Sequence, residues 1–199
     1  MKVKIKKGSK SKEFKLINSW SDVTLETWLK LIDFETGTKT EEATETIAAL
    51  SDIPKQLVKE LSLSDVVVIM SKIGELQAKQ DTELKRIIEI NEVEYGFHPD
   101  LDSISLGEYA DIEQFIKNGI DKNLPELMSV LYRPIKLKKN DIYIIDSYDG
   151  DIRLRAEEMK QMSAEQVQSA LVFFYTLGKV LSEITLSFSM EKQKEMMKQ

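Results

Sequence analysis

Two stretches of the sequence share one pattern: TLETWLKLIDF at residues 24–34 and SLGEYADIEQF at residues 105–115. Each begins with a hydroxyl residue suited to cap a helix, followed by a Leu, an aromatic, an aliphatic residue and a Phe at helical spacing. A hairpin signal precedes each stretch, and Gly37 and Gly119 follow them. The pattern predicts two amphipathic helices in equivalent positions of an internal repeat. The alternative is that capped amphipathic helices simply resemble one another.

Later segments extend the repeat in the same order. Residues 47–50 before Pro54 parallel residues 128–131 before Pro134. Residues 61–66 and 162–167 also match, and each introduces an apolar helix, so the spacing between matched segments grows from 81 residues at the first match to 101 at this last one. The second half is therefore expected to contain an insertion, which we assign to a hairpin at 136–154 that turns at Asp149-Gly150.

These patterns predict a mainly α fold with short β-hairpins, of the α+β class. The first half, residues 1–85, is expected to be a hairpin-plus-helices repeat. The second, residues 86–199, is expected to be a related repeat with the inserted hairpin and a long helix from about 163 to 190. A unit of ~80 residues leaves an apolar face to cover, so the two halves are expected to pack as one body.

The charge is unevenly distributed along the chain. Residues 1–15 carry seven Lys and one Glu, a net of +6, whereas the whole chain of 199 residues has a net of −6. The rest of the chain therefore carries −12. The basic arm can be a solvated edge hairpin whose lysines discourage strand pairing. It can also be a docking arm for an acidic neighbour. Nucleic acid is an improbable partner for so acidic a body, and recognition motifs for it are absent from the sequence.

An acidic cluster surrounds the second patterned helix. Its members are Asp100, Asp102, Glu108, Asp111 and Glu113. Glu108 and Asp111 are three residues apart and share a helix face. Paired carboxylates can hold Mg²⁺ or perform acid–base chemistry, and acids in a first turn also complement the helix dipole. The cluster is also a possible landing site for the basic arm of another copy. The partner-binding residues predicted are Lys2, Lys4, Lys6, Lys7, Glu108 and Asp111.

The composition excludes several kinds of chemistry. The sequence has no Cys and a single His, so it cannot form disulfides, thiolate nucleophiles or His-rich metal centres. His98, in Phe97-His98-Pro99, is expected to be a turn residue. The acidic stretch 146–151 does not have the spacing of a calcium-binding loop. We therefore expect a protein that is not an enzyme, without catalytic residues, cofactor or metal.

Neither a secretory nor a membrane-spanning segment is expected. The basic N-terminus is not followed by an apolar run. The most apolar stretch, residues 170–177, is far shorter than the ~20 residues that a helix needs to cross a bilayer.

Several segments resemble a family of small virion or tail-assembly proteins of tailed bacteriophages, including crAss-like phages. Besides the lysine-rich opening strand they are AALSDIP (48–54), FHPDLDSISLGEYADIEQFI (97–116), LPELMSVLYRPI (124–135) and ALVFFYTLG (170–178). The resemblance is strongest over residues 95–135 and 163–178.

This resemblance implies a virion structural protein of the tail, the head–tail junction or the internal cargo. The alternative is a tail assembly chaperone that is not retained in the virion. The partners implied are other phage structural proteins and further copies of the chain. The location implied is the virion, and the host cytoplasm during assembly.

Overall fold

The computed structural model describes residues 1–7, 10–34, 37–77 and 83–172. The protein has an α+β fold in which helices pack beside one two-stranded and one four-stranded antiparallel sheet. The fold class predicted from the sequence is therefore confirmed.

The chain opens with the predicted hairpin, made of β1 (Lys2–Lys7) and β2 (Lys10–Lys15). Val3 lies opposite Phe14, and both side chains are buried. Side chains alternate between the two faces of a strand, so one face of the hairpin packs on the protein and the other is left to solvent.

Among the described residues of the first half, the helices that follow are α1 (Leu25–Phe34), α2 (Lys39–Ala49), α3 (Lys55–Val58) and α4 (Leu63–Gln77). The hydroxyl of Thr38 accepts a hydrogen bond from the amide of Glu41, whose carboxylate returns to Thr38, so a capping box starts α2. Pro54 precedes α3, where its missing N–H is not needed. These helices and the hairpin share one hydrophobic core, which includes Ile5, Phe14, Trp20, Ile47, Leu50 and Ile69.

The four-stranded sheet has the order β3 (Ile87–Ile90), β4 (Val93–Phe97), β5 (Tyr132–Lys139) and β6 (Ile142–Ile145). Asn91 and Glu92 join β3 to β4 with φ angles of 51° and 66°. Positive φ at both central positions is the mark of the type I′ turn that favours tight hairpins.

The helices of the second half cover this sheet. They are α5 (Leu106–Lys117), α6 (Leu124–Leu131) and α7 (Ile152–Met159), and residues 164–172 are also helical. The remainder of the long helix predicted to reach about residue 190 lies outside the described residues. A second core, centred on α6 and the sheet, includes Phe97, Ile112, Leu127, Met128, Tyr132 and Met159.

The two cores do not divide cleanly at residue 85. Leu25, at the start of α1, belongs to the second core, and Ala164 belongs to the first. A short antiparallel bridge between Thr24 and Ser163 connects them, with the amide of Leu25 2.7 Å from the carbonyl oxygen of Met162. The predicted boundary between the halves stays a prediction, and each core includes a residue from the other half of the chain.

The inserted hairpin was predicted in the wrong place. Residues 142–145 form a strand, but β6 pairs with β5 through the turn Asn140-Asp141, not with residues 152–154. Asp149-Gly150 instead precedes α7, whose first residues are 152–154. Apolar residues two apart, at 152 and 154, fit the start of a helix as well as a strand when so few residues are available.

The two halves of the proposed repeat begin with the same order of elements. Each half has a hairpin, then a 3-10 turn (Trp20–Asp22 and Leu101–Ser103), then α1 or α5 at the 81-residue spacing. Matched positions are buried differently, however, since Leu25 is 0% exposed and Leu106 is 84% exposed. The duplication itself stays a prediction.

Candidate functional site

The lysines of the N-terminal hairpin form a basic face. In the register of β1 and β2, Lys2 lies opposite Lys15 and Lys4 opposite Glu13. All four side chains are exposed, on the side away from the buried Val3. The outer face of the hairpin therefore carries more positive than negative charge.

Lys6 and Lys7 also belong to the predicted basic arm. In the register of the hairpin Lys6 lies opposite Ser11 and Lys7 opposite Lys10. The side chains of Lys6 and Lys7 are outside the described residues. Partner binding by Lys6 and Lys7 therefore stays a prediction.

An exposed ion pair neutralises part of the positive charge of the basic face. The Lys2 Nζ lies 2.6 Å from Glu13 Oε1. The hydrogen bond from Lys2 lowers the pKa of Glu13, and the same bond raises the pKa of Lys2. Both side chains are in solvent, where such pairs are worth little and are screened by salt. Lys2 can therefore exchange Glu13 for an acidic partner at small cost.

Glu108, predicted to face a partner, is instead buried. It is the third residue of α5 and completes a capping box, in which its Oε2 accepts from the amide and hydroxyl of Ser105 at 2.7 and 2.5 Å. Its Oε1 lies 2.7 Å from an Nη of Arg133 and 3.5 Å from Nε2 of His98. Side-chain exposure is only 5% for Glu108, 5% for Arg133 and 9% for His98.

The cluster shifts the titration of its members. Burial lowers the pKa of His98, and the opposing effect of Glu108 does not cancel it. Burial alone would raise the pKa of Glu108, but the hydrogen bonds from Ser105 and the charge of Arg133 outweigh it, so this pKa falls below its usual value. Near neutral pH the cluster therefore holds an ionised Glu108–Arg133 pair beside a neutral imidazole.

Asp111 has a partner within the same fold. The hydroxyl of Tyr148 donates a hydrogen bond to Asp111, and the ring of Tyr148 lies 5.8 Å from the guanidinium of Arg133. Burial, followed by the bond to Asp111, raises the pKa of Tyr148. Asp111 is half-buried.

Glu108 and Asp111 therefore do not form the open acidic patch expected from their spacing. The geometry removes Glu108 from the predicted partner-binding residues, because Arg133 and His98 already enclose its carboxylate. The capping-box spacing of Ser105 and Glu108 was visible in the sequence. The approach of Arg133 from β5 and of His98 from the end of β4 was not, since it depends on how the sheet packs against α5.

The cluster contains acid–base side chains, but solvent barely reaches them. General acid–base catalysis needs a group within hydrogen-bond reach of a bound substrate. The burial of all three central members leaves no such access in the described structure. Among the described residues no group of three or more His, Asp or Glu side chains is arranged to hold a metal ion.

Apolar side chains are exposed on several elements. They include Leu63, Val67 and Val68 on α4, Leu137, Ile142 and Ile144 on β5 and β6, and Leu106 and Tyr109 on α5. Leu137 lies directly opposite Ile144, so these two form one patch on the sheet. Neighbouring exposed apolar groups of this kind are typical of contact surfaces.

In the part of the chain that the structure describes, no helix has the length and apolar character to cross a membrane. Comparison with family models, with curated proteins and with solved structures finds no match to this chain.

Proposed function

We propose that this chain is a non-enzymatic structural protein of a bacteriophage virion, as a tail, head–tail or internal cargo component. It acts through contacts with other phage structural proteins and with copies of itself. Its location is the virion, and the host cytoplasm during assembly. The motifs at 97–116 and 124–135, which resemble such proteins, support the phage origin.

The exposed apolar surfaces carry the proposal of a contact protein. Leu63 on α4 is 80% exposed, Ile142 on β6 is 79% exposed and Leu106 on α5 is 84% exposed. Burying a large aliphatic side chain is worth about 1.5–3 kcal/mol. Several such side chains on three separate elements supply the apolar contacts that association with neighbouring subunits needs.

The closed cluster supports a non-enzymatic role. Glu108 and Arg133 form a buried ion pair, and Glu108 also accepts from the amide of Ser105, so the pair fixes the start of α5 against β5. This is a positioning task within the fold. The outer lysines of the hairpin support a contact role, because they direct an acidic neighbour to one side of the molecule.

Mass spectrometry of purified particles tests the proposal. We expect the chain in particles that survive a density gradient, at a copy number above that of host contaminants. Detection only in soluble complexes from infected cells would overturn the structural role and favour the assembly chaperone that the resemblance also allows.

A matched pair of variants links the virion result to the apolar surface. Val67→Glu places a charge on the exposed side of α4, and Gln161→Glu places the same charge at an exposed position after α7. We expect Val67→Glu to lower incorporation into particles at least tenfold, and Gln161→Glu to leave it unchanged. Equal incorporation of the two variants would contradict a role for this surface.

A further inference from the structure

We infer that β1 of one copy pairs with β3 of the next, so that identical chains associate head to tail through a shared antiparallel sheet. This inference rests on the proposed function, which it deepens by naming a second copy as a partner. Both strands lie at an edge of their sheet, and no described residue pairs with the outer side of either.

The hydrogen-bond pattern of β1 directs the backbone groups of its lysines at positions 2, 4 and 6 toward the open edge of the sheet. The amide of Leu16 donates to the carbonyl oxygen of Met1 at 2.8 Å. Bonded pairs alternate along antiparallel strands, so Val3 and Ile5 also bond to β2. The backbone groups of residues 2, 4 and 6 therefore point away from β2, toward a further strand.

The same argument applies to β3. The amide of Phe97 donates to the carbonyl oxygen of Arg86 at 2.7 Å, which makes Ile88 and Ile90 the residues bonded to β4. The backbone groups of Ile87 and Glu89 consequently point outward. Each of the two edges thus offers alternate donors and acceptors in the spacing that a new antiparallel strand requires.

Charge selects which edges meet. Lys2 and Lys4 are exposed on the outer face of their hairpin, and Lys6 shares their register. On the β3–β4 hairpin, Glu89 lies opposite Glu94, and both are exposed on the outer face. Two β1 edges would bring lysines together, and two β3 edges would bring glutamates together. Like charges opposite each other destabilise a strand pair, whereas Lys4 opposite Glu89 stabilises it.

Both faces of the joined sheet are consistent with this register. With Lys4 opposite Glu89, the alternation places Ile5 opposite Ile88 and Val3 opposite Ile90. These four side chains are all buried on the inner faces of their own hairpins. Charged groups therefore meet on the outer side, and the two hydrophobic cores lie on the other.

The contact uses two different surfaces of one chain. Such a heterologous interface leaves a free β1 at one end and a free β3 at the other, so copies continue to add into a ring or a filament. The charges flanking the paired strands make the association weaken as the salt concentration rises.

Proline variants test the inference, because proline blocks pairing at an edge without removing an internal bond when the native N–H points outward. Lys4→Pro closes β1, and Glu89→Pro closes β3. In sedimentation equilibrium we expect the wild type to exceed its monomer mass of 22.9 kDa as concentration rises, and each variant to remain at 22.9 kDa. An equimolar mixture of the two variants should reach twice that mass and no more.

Three results would overturn the inference. The first is a wild type that stays monomeric up to about 1 mM, where a contact with a Kd of about 1 mM would register. The second is a proline variant that associates like the wild type, and the third is a mixture that stays monomeric. Far-UV circular dichroism confirms that each variant is folded.

Charge reversal supplies a second readout that keeps both strands. Lys4→Glu and Glu89→Lys should each weaken association at least tenfold, and the double variant should restore it. Lys122→Glu, on a different surface, should have no effect. Failure here with the chain still present in virions would refute the sheet contact alone, while absence from virions with intact self-association would refute the proposed function alone.

Discussion

Neutralising Glu108 tests whether the buried cluster holds α5 in place. Glu108→Gln keeps the shape of the side chain and one acceptor for Ser105, but it removes the negative charge 2.7 Å from Arg133. Arg133 stays protonated and is only 5% exposed, so its charge would remain in the interior without a counter-charge.

The expected loss follows from that burial. Breaking a buried ion pair by removing one charge costs about 3–5 kcal/mol, because the remaining charge is uncompensated. Glu108→Gln keeps one oxygen that can accept from Ser105, so we expect its loss of stability near the lower end of this range, at about 3 kcal/mol. Losing the N-terminal cap as well would cost about 1 kcal/mol more. Adding Arg133→Met removes the stranded charge and should recover part of the loss.

Urea denaturation followed by circular dichroism at 222 nm measures these free energies of unfolding. Glu113→Gln is the matched control, because Glu113 lies on the same helix but pairs with Lys117 in solvent. Its effect should stay within about 0.5 kcal/mol. A Glu108→Gln variant no less stable than Glu113→Gln, or a double variant as unstable as the sum of its parts, would refute the reasoning.

Further predictions concern pH, packing and the link between the cores. Burial lowers the pKa of His98 below 6.5, so on acidification the unfolded chain binds a proton at a higher pH than the folded chain does. The free energy of unfolding should therefore fall from pH 7 to pH 5, and His98→Asn should make that fall smaller. Gly96→Ala would drive a Cβ into the ring of Tyr143 and should cost about 1–3 kcal/mol in urea melts, whereas Gly74→Ala, with open space around it, should not destabilise. Leu25→Ala should cost about 2–5 kcal/mol by the same assay, because the side chain is fully buried in the second core.

Local signals predicted the opening hairpin and the helices α1 and α5. A hairpin signal precedes residue 24, and the hydroxyl residues Thr24 and Ser105 marked the starts of α1 and α5. Such signals act within one or two turns of chain, so neighbouring residues contain all the information that is needed. The pairing of β5 with β4 was missed, because the two strands are more than 30 residues apart in the chain, beyond any local pattern.

The candidate site was predicted less well than the fold. The sequence identified the basic hairpin, and in the structure Lys2 and Lys4 share its exposed face. It also placed Glu108 and Asp111 on one helix, but not the side chains that enclose them. A helical wheel gives the direction of a side chain around the helix axis, but it contains no information about the sheet that covers that side chain.

The sequence by itself determined the uneven charge, the absence of cysteine chemistry and the hairpin-and-helix units, because composition and short-range periodicity are properties of the chain alone. Only the tertiary structure decided that Glu108 is an internal counter-ion of Arg133, and that β1 and β3 are left as edges of opposite charge. Burial and strand pairing depend on residues far apart in the chain, whose proximity exists only after the sheet and the helices have packed.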